Sequence, residues 1–548
     1  MPSFLNLRRL QDGPWPAFER LIARYLEHGG FFDVSVVGGS GDLGADIVAS
    51  FKGDKWIVQA KFRSSGAVGK IAVEEAFNAQ WEYDAGVIVT ATNINFSDSA
   101  KKQCKEYREQ GFRVYLWDQA FLLSQSGRIP DYSKAKRSLR EYQQRAVNAI
   151  HASVRDGDSH GLVTLATGLG KTVVASSFIA EYLEEHPSTK VLVLAHMSDL
   201  VRQLDRSCWA QFPKYIETHI WTDGEKPAYG DGVTFATWQS ISSAISSGEP
   251  LEGVFDLIVV DECHHAASAS FNEMLGALQP KYLLGVTATP WRGDNASLRP
   301  LFGDPVFTMD VVQGMQEGYL AKVDYHMMLD GIDWEEIRTL SRQGLTVKDL
   351  NTALYVPERD VGMIESVSEV IEGIENSRTL VFCRSIDHAE RLQAYFRQFD
   401  IAAGVIHSEL HRADRFRSLS NFRMGTLRVL ISIEMLNEGI DVPEVNIVVF
   451  ARVTHSRRIF LQQLGRGLRL SNNKSHVTVL DYVADVRRIA AGVEINSEAR
   501  SYKEKEEVNY PDGEIVKFSK YSQDFFNEYL ADMADISDLD EDAHLDFP

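Results

Sequence analysis

Two groups of side chains in this sequence have the types and spacing to handle a phosphate, a metal ion and a water. The stretch WIVQAKF, Trp56 to Phe62, reads as a strand, so Gln59 and Lys61 share one face of an otherwise apolar segment. Asp46 ends the turn SGDLGAD and begins the partner strand of a hairpin, and Glu19 lies on the first helix. Antiparallel pairing sets such residues side by side. Two carboxylates, an amide oxygen and an ammonium make a site for a hard divalent cation such as Mg2+. Such a site acidifies a water, and Lys61 would orient or deprotonate it, or stabilise charge developing on the phosphate.

The second group begins with LATGLGKT, Leu165 to Thr172, between the strand GLVTL and the helix KTVVASSFIAEYL. A glycine turn that opens a helix offers backbone N–H groups to phosphates. Lys171 adds a point charge, and Thr172 offers a hydroxyl to Mg2+. The expected nucleotide is ATP. Leu165 stands where the general phosphate-loop pattern has its first glycine. FDLIVVDECHH then delivers Asp261 and Glu262 at the end of a strand, one to hold Mg2+ through water and the next to activate the attacking water.

The surrounding pattern supplies the scaffold. The chain has 548 residues, too many for one ordinary core, and is 44% hydrophobic and 24% charged. No apolar run approaches the ~20 residues of a membrane span, so no membrane partner is expected. The N-terminus lacks the apolar core of a secretory leader, so the expected location is cytoplasmic. The four cysteines, Cys104, Cys208, Cys263 and Cys383, lie far apart and read as small buried hydrophobes. The net charge of −20 argues against an overall nucleic-acid coat but allows a local basic channel. Residues 1–130 read as one small α/β domain, and the polar stretch SGRIPDYSKAKRS as a linker. Short apolar strands then alternate with helices, the pattern of doubly wound parallel sheets. The expected divisions are a first lobe at 131–322, a helical connection at 323–370, a second lobe at 371–490, and an extension with an acidic tail at 491–548.

The motifs of residues 135–490 resemble superfamily 2 helicases and translocases of the DExH type, whose core is two RecA-like lobes. In that family ATGxGKT is a usual phosphate loop, which places Thr167, Gly168, Gly170, Lys171 and Thr172 around the nucleotide. The resemblance implies that Arg140 and Gln143 of LREYQ read the adenine, and that Gly439 and Asp441 of LNEGIDVP face the nucleotide. It places Gln462, Arg466 and Arg469 of QQLGRGLR at the last motif. Three residues apart, both arginines can project from one helical face and act as arginine fingers. Arg202, Thr237 and Gln239 are candidates for contacts to a nucleic-acid backbone by the same analogy.

Residues 10–125 resemble the PD-(D/E)xK nuclease fold, and within it the Mrr-like restriction endonucleases. In that branch a glutamine commonly stands two residues before the lysine, as Gln59 does here. The resemblance implies Asp46 as main metal ligand and Lys61 as catalytic lysine, with Gln59 assisting and Glu19 as a further candidate. The pairing of domains implies an ATP-driven motor on duplex or single-stranded DNA joined to a Mg2+-dependent endonuclease, in restriction or antiphage defence, with a possible protein partner from a defence operon. Alternatives are a DNA-repair helicase-nuclease, a DNA-binding ATPase whose first domain is a non-cutting clamp, and, less favoured, RNA as substrate.

Overall fold

Alternating apolar strands and amphipathic helices assemble three main sheets in the computed structural model of the chain. It describes most of residues 3–328 and 359–482, with the short strand Val516–Lys517. Residues 38–43, 266–268, 289–297, 329–358, 434–441, 452–466, 483–515 and 518–548 lie outside the described residues. The chain forms two compact units, one of residues 1–164, 170–290 and 297–308, the other of 165–169, 291–296 and 309–548.

The first unit starts with a short helix, α1 (Leu7–Gln11), and then α2 (Trp15–His28). Proline sits in the first turn of α2, where its missing N–H costs nothing, and Gly29 and Gly30 follow its end. Phe18, Leu21, Ile22 and Leu26 form its apolar stripe. A five-stranded sheet follows, in the order β1 (Phe32–Val36), β2 (Ile47–Phe51), β3 (Asp54–Lys61), β5 (Val87–Thr92), β7 (Val114–Trp117). The pairs β1–β2 and β2–β3 are antiparallel, while β3–β5 and β5–β7 are parallel. The two-residue β2–β3 loop has Lys52 at φ 51° and Gly53 at φ 86°, the positive-φ pair that suits a tight hairpin. Helices α3 (Lys70–Tyr83), α4 (Asp98–Glu109) and α5 (Gln119–Ser126) complete this domain, with a minor pair of strands, β4 (Ala67–Val68) and β6 (Asn95–Phe96).

The same unit continues with α6 (Glu141–Arg155), β8 (His160–Leu165), α7 (Lys171–Glu185), β9 (Val191–Ala195), α8 (Ser198–Trp209), β10 (Thr218–Trp221), β11 (Val233–Thr237), α9 (Trp238–Ser246), β12 (Leu257–Asp261), α10 (Ala269–Leu278), β13 (Tyr282–Thr287), α11 (Arg299–Phe302) and β14 (Pro305–Met309). The sheet order is β10-β11-β9-β12-β13-β8-β14, parallel from β10 through β8. Runs such as Leu257–Val260 are apolar on both faces because helices cover both sides.

The second unit holds a sheet ordered β17 (Ala403–Ile406), β18 (Val429–Ser432), β16 (Thr379–Phe382), β19 (Ile447–Phe450), β20 (His476–Tyr482), β15 (Lys322–Met328), β21 (Val516–Lys517). All its pairs are parallel except β15–β21. The range expected as a helical connection, 323–370, therefore opens inside a strand, β15, and closes inside the helix Arg359–Gly373.

Candidate functional site

In the N-terminal domain, the β2–β3 register pairs Ile47 with Val58, which puts Asp46 opposite Gln59 one step further on. Gln59 Nε2 donates to Asp46 Oδ2 at 2.8 Å, and the Ala60 N–H donates to the same oxygen at 2.6 Å. A carboxylate can only accept, so the amide nitrogen of Gln59 is the donor and its oxygen is left over. Gln59 Oε1 is buried without a hydrogen-bond partner. Asp46 and Gln59 are each 3% exposed, so this is a desolvated, oxygen-rich corner. Such donors suit a hard cation, and an orphaned amide oxygen is a fit for one. Among the described residues, no group of three or more His, Cys, Asp or Glu side chains could hold a metal, so any ion here relies on the amide as well.

Lys61 shares the face of Gln59, and its Nζ lies 2.9 Å from Glu75 Oε2 on α3. Glu75 was not legible as a site residue, because only the docking of α3 on β3 brings it near. Gly44 makes that docking possible: it has φ 87°, and a Cβ there would lie 2.7 Å from the Glu75 carbonyl oxygen. Glu19 is buried on α2, which packs on the Val58 and Ala60 face of β3, the side opposite to Gln59 and Lys61. The two groups thus approach the strand from different sides.

The second site lies at the carboxyl ends of β8, β13 and β12, neighbours in the sheet, where open parallel sheets bind ligands. Gly168 (φ 95°) and Gly170 (φ 82°) take left-handed conformations, and Gly170 caps α7. A Cβ on Gly170 would meet Gln143 Nε2 at 2.7 Å. Thr167 precedes Gly168 in this turn, and Lys171 and Thr172 open α7, whose N-terminus favours phosphate. Lys171 Nζ pairs with Glu262 Oε1 at 3.1 Å. Glu262 has φ 46°, a strained conformation for a residue with a side chain. Its Oε2 lies 3.3 Å from His264 Nδ1 without hydrogen-bond geometry and has no hydrogen-bond partner. His264 Nδ1 also lies 3.0 Å from Thr287 Oγ1 at the end of β13, which links DECH to TATP. Burial alone would raise the Glu262 pKa, but Lys171 and His264 hold the carboxyl well below the usual range. Glu262 is thus ionised, with Oε1 on Lys171 and Oε2 facing His264, the protonation state a general base requires. A recess of about 10 Å³, room for one water, opens beside Asp261 and Glu262.

The remaining expected residues differ in their surroundings. Gln143 is committed locally, accepting from the Arg140 N–H at 3.0 Å and approaching the Tyr142 hydroxyl at 3.3 Å. Thr237 is a correction: it is 5% exposed and its hydroxyl caps α9 by accepting from the Ser240 N–H, so it is not presented to a strand. Arg202 pairs with Asp223 at 2.7 Å, and Gln239 is exposed and donates to the His196 carbonyl. In the second unit Arg469 stands in a β-bridge to Leu320. Arg466, Gln462, Gly439 and Asp441 lie outside the described residues. All four cysteines are buried thiols outside any disulfide.

Residues 10–125 match the family model for Mrr-type restriction endonucleases, 136–292 the one for the res subunit of type III restriction enzymes, and 362–471 the helicase conserved C-terminal domain. The chain is a restriction-endonuclease domain fused to a superfamily 2 helicase core. It is 29% identical over 367 residues to a putative mitochondrial ATP-dependent helicase, irc3, of Schizosaccharomyces pombe, covering 65% of this chain and 59% of that protein. It is 25% identical over 384 residues to the EcoAI endonuclease subunit of a type I restriction enzyme from Escherichia coli, covering 63% and 46%. The structure of the type ISP restriction-modification enzyme LlaBIII bound to DNA shares the fold, with a TM-score of 0.54 and 18% identity, over 98% of this chain and 43% of that one. The chain spans about half the length of the curated relatives it matches. Among the described residues, no helix is long and apolar enough to cross a membrane.

Proposed function

We propose that this chain is an ATP-driven DNA translocase that carries a Mg2+-dependent endodeoxyribonuclease and acts on foreign DNA in the cytoplasm, as part of a restriction or defence system. The reading is carried by one observation: two acid–lysine sites stand in one compact unit, buried Asp46–Gln59 beside Lys61, and the Lys171–Glu262 pair. In the nuclease domain Asp46, with Gln59 Oε1, would hold the metal, which would supply a more acidic water and charge neutralisation. Lys61 positions the attacking water and Glu75 holds Lys61 in place. In the motor, Lys171 leaves Glu262 for the phosphates, Thr167, Gly168 and Gly170 shape the loop around them, and Thr172 and Asp261 serve the nucleotide's Mg2+. Glu262 takes the proton of the attacking water. Arg466 and Arg469 of the second lobe act as fingers on the γ-phosphate, with Gln462, Gly439 and Asp441 beside the nucleotide, and Arg140 and Gln143 read the adenine. Resemblance to restriction subunits supports defence as the biology, and a partner protein from the same operon is part of the proposal.

The test is ATP turnover as DNA is added. Hydrolysis should rise with duplex or single-stranded DNA and weaken with salt as phosphate contacts are lost. Turnover indifferent to DNA, or stimulated by RNA alone, would overturn the DNA-motor reading.

A further inference from the structure

We infer that the nuclease domain is rigidly mounted on the first helicase lobe through α2, with Arg20 and Arg24 as positioning residues, so that cuts fall at a fixed offset from the motor. The inference rests on the function proposed above. The stripe Phe18, Leu21, Ile22 and Leu26 belongs to the nuclease core, while two arginines of the same helix enter the lobe. Arg20 grips Glu225 with both terminal nitrogens, one of them at 2.9 Å, and its Nε lies 3.8 Å from Asp205 on α8. The exposures of these three side chains are 12%, 8% and 2%. Arg24, also buried, donates to the carbonyls of Ile216 and Pro213 at 2.8 and 3.4 Å. Trp209, at the end of α8, belongs to the apolar core of the nuclease domain and donates to Asp205 at 3.0 Å. The nuclease core is therefore completed by a residue of the motor.

Two further seams run beside this one. Before α2, the Phe4 N–H donates to the Lys214 carbonyl at 2.7 Å, Asn6 to Glu217 at 2.7 Å, and Arg9 to the Thr218 carbonyl at 2.6 Å. Arg9 also donates to His219 Nδ1 at 3.1 Å; burial, then Arg9 itself, holds that imidazole down to about 3, so it accepts as a neutral ring. After the domain, the expected linker is tacked down. Lys214 Nζ donates to the Ile129 carbonyl at 2.9 Å and pairs with Asp131 at 3.1 Å, and Gln211 bonds both the N–H and the carbonyl of Arg137 at 2.8 and 3.2 Å.

The consequence is geometric. A free tether of about 13 residues would let its cargo wander by roughly 20 Å, about six base pairs. Three seams remove that freedom. Arg202, a candidate DNA contact, lies three residues from Asp205 on α8, so the DNA-facing end and the mount share one helix.

The experiment stalls the full-length protein, with ATP and Mg2+, against streptavidin on biotinylated linear duplex, and maps the cut ends by sequencing. Hydrogen exchange of α2 and α8 is followed in parallel on the intact chain, Arg20→Met, Glu225→Gln and the double variant. The intact protein should cut within a few base pairs. Arg20→Met should widen that window about twofold toward the tether limit and speed exchange in both helices about tenfold, with ATP turnover retained. The double variant should be no worse than Arg20→Met, because the buried carboxylate left unpaired by the single change is gone. If Arg20→Met fails to fold, Glu225→Gln carries the same comparison. Intact protein that scatters cuts over tens of base pairs, or variants with unchanged window and exchange, would overturn the mount. If the intact chain does not cut, the nuclease reading fails while the exchange still judges the mount.

Discussion

Gln59 donates its amide to the Asp46 carboxylate at 2.8 Å, across the β2–β3 pairing, and keeps its own oxygen buried and unpartnered. The amide serves Asp46 as a donor, and under the proposed function its oxygen would serve a cation as a ligand.

Gln59→Glu tests that double role. Without metal, two buried carboxylates repel and the Asp46 bond is lost, a cost on the order of 1–3 kcal/mol. With Mg2+ the new carboxylate becomes a ligand. Thermal melts should show the variant less stable than the intact protein in chelator, and a larger gain in Tm on adding Mg2+. Equal Mg2+ responses would argue against an ion at this corner.

Glu262→Gln should leave nucleotide binding intact and slow ATP turnover by roughly 10²–10⁴, the span of general-base contributions. The pH dependence has a defined sign. The folded carboxyl is held below a glutamate's ordinary value of 4.5 by Lys171 and His264 against the opposing effect of burial. Its stabilisation is therefore complete above about 4.5 and is lost as pH falls through the lower folded value. The stability difference between the intact protein and Glu262→Gln should stay level from pH 8 to 5 and shrink only below that, as read by denaturant titration.

Gly170→Ala forces a side chain into a left-handed conformation and against Gln143. A loss of ~1–3 kcal/mol in stability is expected, with weaker ATP binding by calorimetry.

The nucleic-acid surface separates two neighbours that the family analogy grouped together. Thr237→Val removes a helix cap and should cost about 1 kcal/mol without changing the salt dependence of DNA binding. Arg202→Ala should weaken binding and lower the salt slope by about 1. Titrations at several salt concentrations distinguish them.

Much of this architecture could be read from local patterns. Apolar runs such as LIVVDE, and a glycine turn opening a helix, carry their physics within a few residues. What could not be read depends on how elements dock. Glu75 meets Lys61 only because Gly44 admits α3 closely, and Arg20 meets Glu225 across 205 positions of sequence. Thr237 shows the opposite failure: a hydroxyl at a strand–helix junction serves equally as a cap or as a contact, and burial decides. Arg469 pairs with Leu320 in a β-bridge that no spacing in the sequence announces, and Arg466 lies outside the described residues.

The most direct test of the account is cleavage of long duplex DNA with Mg2+, with and without ATP, by the intact protein, Lys61→Ala and Lys171→Ala. The account predicts that the intact protein cuts, that Lys61→Ala hydrolyses ATP but does not cut, and that Lys171→Ala loses ATP turnover. Lys61→Ala cutting as well as the intact protein would contradict it, and would leave the β3 strand as scaffold alone.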